Sequence, residues 1–272
     1  MEHGPSWIHV RRIHRHGWGP CNSMQYRNCL CSIDARTNCS GCYCSCRLRI
    51  SGYGTAGSGS SVPGWAYHPV LTGAELFTGD AMLAPMAAFI HKISWAQVMT
   101  LWVFVYIGNL IGSLFWAYLM ANGPFVTWDA AGAATITAFG TRAIAIAGAK
   151  VSYVGMMGMW SAFLKAIGCN YLVNLAILLG ICSDDMVGKF FGIWFPIMAF
   201  VSSGLEHSIA NMYFIPAGII TSMLTGVPTT ATWVNMWTAN IIIVTLGNIV
   251  GGLFFVGILY WVAFRKEIAA LK

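Results

Sequence analysis

The run Ser203-Gly204-Leu205-Glu206-His207-Ser208-Ile209-Ala210-Asn211-Met212 sets a carboxylate, an imidazole and an amide inside a block, 187–224, otherwise apolar enough to span a bilayer. A charged side chain near the bilayer centre costs at least about 2.5 kcal/mol even on the most lenient insertion scale, so such groups mark a solute pathway by default. Pro216 follows the run, and the block reads as a membrane helix broken at 202–211. Unwound backbone at that depth survives only where it is buried in protein or lines a watery cavity, because lipid offers no hydrogen bonds.

A second block, 66–90, is broken in the same way. Gly73, Glu75, Asp80 and Pro85 have the spacing G-x-E-x4-D-x4-P, and Gly204, Glu206, Asn211 and Pro216 have G-x-E-x4-N-x4-P. Further on, Gly108-Asn109-x-x-Gly112-x-Leu114-Phe115 recurs as Gly247-Asn248-x-x-Gly251-x-Leu253-Phe254. The order in each half is a broken helix and then a G-N-x-x-G span, which is an internal duplication.

Composition agrees with a membrane protein. The 272 residues are 57% apolar and 9% charged, with mean hydropathy +0.65, whereas soluble domains are about 25% charged. Continuous spans are expected at about 95–121, 155–182 and 235–264, each long enough at about 1.5 Å per residue to cross a core of about 30 Å. Residues 123–150, rich in Ala, Gly and Thr and carrying Arg142 and Lys150, read as a partly helical interfacial connection. The second half thus holds a full, a broken and a full span. Three per half is odd, so the halves sit in opposite orientation, the inverted-repeat plan of many transporters. Symmetry asks for another full span in 20–60, and none is legible there.

The expected division is therefore 1–69 without a recognisable fold, 70–266 as the transmembrane domain and 267–272 as a tail. Residues 1–69 hold seven Arg against Glu2 and Asp34, a net of +5, so the basic balance implies nothing about nucleic acid. They also hold Cys21, Cys29, Cys31 and the ladder Cys39, Cys42, Cys44, Cys46, which lacks two separated C-x2-C knuckles, so no metal site is assigned.

Half-helix ends pointing into one cavity offer free N–H groups, which favour an anion. His207 adds a donor, and no cofactor is called for. Glu75 and Glu206 are expected to pin the two loops by accepting backbone N–H bonds, with Asn211, Asn109 and Asn248 supporting loops and packing, and the neighbouring glycines allowing close approach. Asn170, deep in a span, either faces the pathway or bonds a neighbouring helix. Lys165 either snorkels or raises the local anion concentration. Trp and Tyr at span edges read as interface anchors.

At Gly73-Ala74-Glu75-Leu76-Phe77-Thr78-Gly79, Gly108-Asn109-Leu110-Ile111-Gly112, Gly168-Cys169-Asn170-Tyr171-Leu172-Val173, Phe200 to Met212 and Gly247-Asn248-Ile249-Val250-Gly251-Gly252, the chain resembles the formate–nitrite transporter family, and within it the formate transporters of methanogenic archaea. The resemblance implies an aquaporin-like protomer of six spans, in the cell membrane, assembled as a homopentamer and linked in function to formate dehydrogenase. It implies His207 as the central polar group, opposite Thr78 and beside Asn170. It implies Leu76, Phe77 and Val173 at the cytoplasmic constriction and Phe200 at the other. The pattern expects a basic residue about four turns before Asn170; that position holds Val154, with Lys150 one turn away. The family's first span has no match in 1–69, and that segment reads as translation in a shifted frame. Re-reading the coding DNA upstream of Val70 in another frame is expected to yield an apolar span.

The function expected is passage of a small monovalent anion, formate first, with nitrite or hydrosulfide on the same fold as the alternative. A membrane-anchor subunit of a redox enzyme is the remote alternative; it needs a second inward histidine, and after residue 69 only His91, at a span end, accompanies His207.

Overall fold

Eight helices and one small β-hairpin, joined by short loops, make up residues 73–270, which are the residues the computed structural model describes. The expectations for 1–69, including the frame shift and the missing first span, and the start of the first broken helix lie outside them. In chain order the helices are α1 (Phe77–Phe89), α2 (Trp95–Asn122), α3 (Ala138–Lys150), α4 (Gly155–Cys182), α5 (Met186–Ser202), α6 (Ser208–Thr225), α7 (Trp233–Ala263) and α8 (Arg265–Ala270).

The 28 residues of α2 and of α4, the 18 of α6 and the 31 of α7 are long and apolar enough to cross a bilayer. With 13 residues, α1 extends about 20 Å at 1.5 Å per residue, short of the hydrocarbon core. The second break is sharp: α5 stops at Ser202 and α6 starts at Ser208. Gly204 turns the chain there with φ +65°, and Gly73, its repeat counterpart, does so with φ +74°. Only glycine enters this region without steric cost, which is why the repeat keeps one at both positions. Pro85 and Pro216 each fall at the ninth residue of the helix after the break.

The connection 123–150 is partly helical, as expected, and opens with two short strands. Val126–Trp128 (β1) and Ala134–Ile136 (β2) form a small antiparallel hairpin. Asp129 drives it, since its Oδ1 accepts the N–H of Ala131 (2.9 Å) and of Ala133 (2.8 Å), and Gly132 takes φ +81°. Helix α3 packs one face on the bundle: Gly140, Ala143, Ile144 and Ala147 are buried, and Gly218 of α6 lies so close that a Cβ there would strike Ala147.

The apolar core joins α1, α4, α5 and α7 through Met82, Cys169, Val173, Ile177, Ile193, Ile197, Phe200 and Val256. Glycines set how near α7 comes to α4. A Cβ on Gly247 would lie 2.6 Å from Ala166 Cβ and 2.7 Å from Phe163 O, and one on Gly251 would lie 2.5 Å from Ile167 O. Two π-helical turns interrupt α7, at Met236–Ile241 and Leu253–Ile258. Such wide turns re-aim side chains and recur at functional sites; the first carries Asn240 into the site described next.

Candidate functional site

The two breaks are braced in the same way at the helix head and the loop. Asn109, on α2, accepts the N–H of Phe77, the first residue of α1, at 3.0 Å and donates to Glu75 O at 3.2 Å. Asn248, on α7, accepts the N–H of Ser208, the first residue of α6, at 2.8 Å and donates to Glu206 O at 3.0 Å and Ala166 O at 2.8 Å. The first N–H groups of a helix have no partner within it. In each half an asparagine from the next span supplies one, and ties the same amide to the loop.

Around Glu206 the structure collects donors. Lys150 Nζ and Tyr153 OH both reach Oε1 at 2.8 Å, while Asn211 Nδ2 (2.7 Å) and Asn240 Nδ2 (3.3 Å) reach Oε2. The carboxylate is 2% exposed. Its partners are side chains, where backbone N–H groups were expected. Burying a carboxylate is tolerable only with a counter-charge and filled lone pairs, and here both are supplied. The cation is Lys150; Val154, at the position counted back from Asn170, points outward and is 76% exposed. Tyr153, at a span edge, is a ligand of this carboxylate rather than an interface anchor.

His207 follows directly and is 2% exposed. Its Nδ1 accepts the N–H of Ala210 at 3.1 Å, capping α6. A nitrogen that accepts carries no hydrogen, so in the neutral ring the hydrogen is on Nε2. Nε2 lies 2.9 Å from Thr78 Oγ1 across the two halves. The ring therefore donates to Thr78, and the threonine hydroxyl keeps its own hydrogen for another acceptor. A second hydrogen on Nδ1 would face the Ala210 N–H and undo the cap.

Asn170 and Asn174, one turn apart on α4, hold Thr78 from behind. Their Nδ2 atoms donate to Thr78 O at 3.0 and 3.2 Å, and also to Asn248 O (2.6 Å) and Asn170 O (2.8 Å) respectively. With both amide hydrogens on carbonyl oxygens, each Oδ1 is turned elsewhere, and neither finds a donor among the described residues. Gly252 makes room, since a Cβ there would lie 2.8 and 2.9 Å from the two amide nitrogens.

The apolar residues separate into two places. Val173 and Phe200 share the α1–α4–α5–α7 cluster, and the Phe200 ring lies 6.1 Å from that of His207 at 28°. Phe77 packs edge-on against Trp102 (5.9 Å) and Tyr106 (4.9 Å) of α2, and Leu76 is half-buried at the head of α1. Asn174, Tyr153 and Asn240 escaped the sequence reading. For the two asparagines the signal was present, an amide inside an apolar run, as at Asn170.

A broken helix in each half, heads capped from the following span and a histidine facing a threonine across them, define a multi-pass membrane protein of the aquaporin-like, inverted-repeat class. The formate/nitrite transporter pattern matches residues 68–262, and the chain belongs to that family of transporters. It is 44% identical over 203 residues to a probable formate transporter of Methanothermobacter thermautotrophicus, covering 73% of this chain and 71% of that one. A formate channel of Bacillus thuringiensis is 35% identical over 203 residues, covering 75% and 71%. Among solved structures, a pentameric formate channel with formate bound matches at TM-score 0.57 and 33% identity, covering 72% of this chain and 78% of that one.

Proposed function

We propose that the chain passes a small monovalent anion, formate first, along a route that meets Thr78 and His207, as one protomer of a homopentamer. The observation that carries this is the Nε2–Oγ1 bond of 2.9 Å between the two halves, with Nδ1 already committed to Ala210. The ring fixes the threonine oxygen as an acceptor and so turns its O–H toward whatever passes. An anion leaving water at an apolar constriction needs such a donor, because a buried charge without one is costly. Leu76, Phe77 and Val173 are the side chains we assign to the constriction on one side and Phe200 to that on the other, with Asn170 beside the central pair. The names of the relatives support formate as the solute, and the pentameric solved channel supports the assembly. Formate dehydrogenase is the enzyme whose substrate such a pore would move.

Proton sharing between formate and His207 would require the ring to release its cap on α6, so we assign the neutral ring to orienting Thr78. Flux of labelled formate into proteoliposomes tests the reading. Thr78→Val and His207→Phe are each expected to cut it at least about tenfold, the value of a lost charge-assisted hydrogen bond of about 1.5 kcal/mol or more. Unaltered flux in both variants would remove the pair from the pathway. Competition by nitrite and hydrosulfide separates formate from the alternatives on the same fold.

A further inference from the structure

Helix α4 carries a lysine, Lys165, in the middle of a membrane span, and nothing in the pathway described so far uses it. Its backbone sits level with the second break, because Lys165 O accepts the Glu206 N–H at 3.4 Å. Its ammonium meets no carboxylate among the described residues. Nζ lies 3.1 Å from Tyr153 OH and 5.1 Å over the centre of the Tyr153 ring. The tyrosine hydroxyl has one hydrogen, and that hydrogen is given to Glu206 Oε1 at 2.8 Å, so toward Lys165 it acts only as an acceptor.

The charges then balance as follows. Glu206 is neutralised by Lys150 at 2.8 Å, the one ion pair among the described residues. Lys165 is left with a phenol oxygen and an aromatic face, both neutral partners. One positive charge therefore remains uncompensated within the described residues, at membrane depth and beside the loop that carries His207. Tyr153 keeps it there: the cation–π contact and the hydroxyl hold the ammonium against the loop and oppose its reaching out to the interface. A cation kept at that depth against its solvation cost calls for an anion to justify it.

We propose that Lys165, tethered by Tyr153, is the group that draws the anion to the Thr78–His207 pair and sets its apparent affinity, while Lys150 serves Glu206. The inference rests on the anion-passage reading above. It makes the tyrosine a positioning residue and the ammonium a specificity-determining one, since a single fixed positive charge favours a monovalent anion over neutral solutes.

The test is initial flux against external formate concentration in proteoliposomes, at low and at high ionic strength, for wild type, Lys165→Gln, Lys165→Arg and Tyr153→Phe. Removing the charge is expected to raise the half-saturating concentration about tenfold, the lower end of what a focused charge adds to local ion concentration. It should also flatten the fall of flux with salt that a charge-driven entry step produces. Lys165→Arg keeps the charge and is expected to stay within about twofold of wild type, and Tyr153→Phe to keep the salt response with a shift of about threefold. A Lys165→Gln protein with wild-type half-saturation and salt response overturns the proposal, and so does Lys165→Arg behaving like Lys165→Gln. Should the glutamine variant not fold, the arginine and phenylalanine variants decide alone: a lost salt response in either overturns it. A wild type that passes nitrite or hydrosulfide but not formate defeats the choice of solute only, and the Lys165 series is then read with the anion that passes.

Discussion

At the head of α6 a buried carboxylate is met by an ammonium, a phenol and two amides; at the head of α1 its repeat counterpart meets another acid. Glu75 and Asp80 lie within hydrogen-bonding reach of each other, and Asp80 Oδ2 finds no donor among the described residues. The position that is Asn211 in the second half, giving its amide to Glu206 at 2.7 Å, carries a carboxyl group in the first. The asparagine braces share the helix cap and the loop tie in both halves, while the acid's surroundings differ. The backbone design of the break is thus the shared part, and the charge design is what each half holds for itself.

Glu206→Gln should have the largest effect. It strands Lys150 in a buried site and should lower stability by about 3–5 kcal/mol, read from unfolding in detergent. Glu75→Gln should cost less than about 1 kcal/mol, because it gives Asp80 an amide donor; equal losses would break the contrast. Next come the braces. Asn248→Leu removes three hydrogen bonds and should cost about 3 kcal/mol, against about 1–2 kcal/mol for Asn109→Leu, which removes two. Smaller still is the paired glycine test. Gly247→Ala drives a methyl into Phe163 O and Ala166 and should cost about 1–3 kcal/mol. The counterpart Gly108 meets no described residue within 4 Å, so Gly108→Ala should be neutral or gain up to about 1 kcal/mol in helix propensity. A matching loss at Gly108 would mark a further element seated on that face. Smallest is Asp80→Asn, which copies the second half into the first and should raise stability by about 0.5–1 kcal/mol.

Much of this was legible in the chain. The limits of α4, the break before Ser208 and the pairing of the two halves follow from apolar run length and from a repeated spacing, both of which are one-dimensional signals. The His207 and Thr78 contact was reached through resemblance, not spacing, since 129 residues separate them. Counting turns misplaced the cation. The four-turn count back from Asn170 ends on Val154, which precedes α4, while Gly155, with φ +68°, swings the chain so that Lys150 faces Glu206. Tyr153 looked like any aromatic at a span edge, because an anchor and a carboxylate ligand have the same composition. Asn109 and Asn248 stood out as repeats, yet nothing in a linear pattern says that an amide on one span caps the first N–H of another helix.

The ring of His207 belongs to both halves at once. One nitrogen reads whether α6 is wound to its first turn, and the other reads whether Thr78 is in place at the head of α1. On the function proposed above it is a coincidence detector of five atoms: the hydroxyl would be aimed only when both signals are present, so a disturbance in either half would silence the same donor.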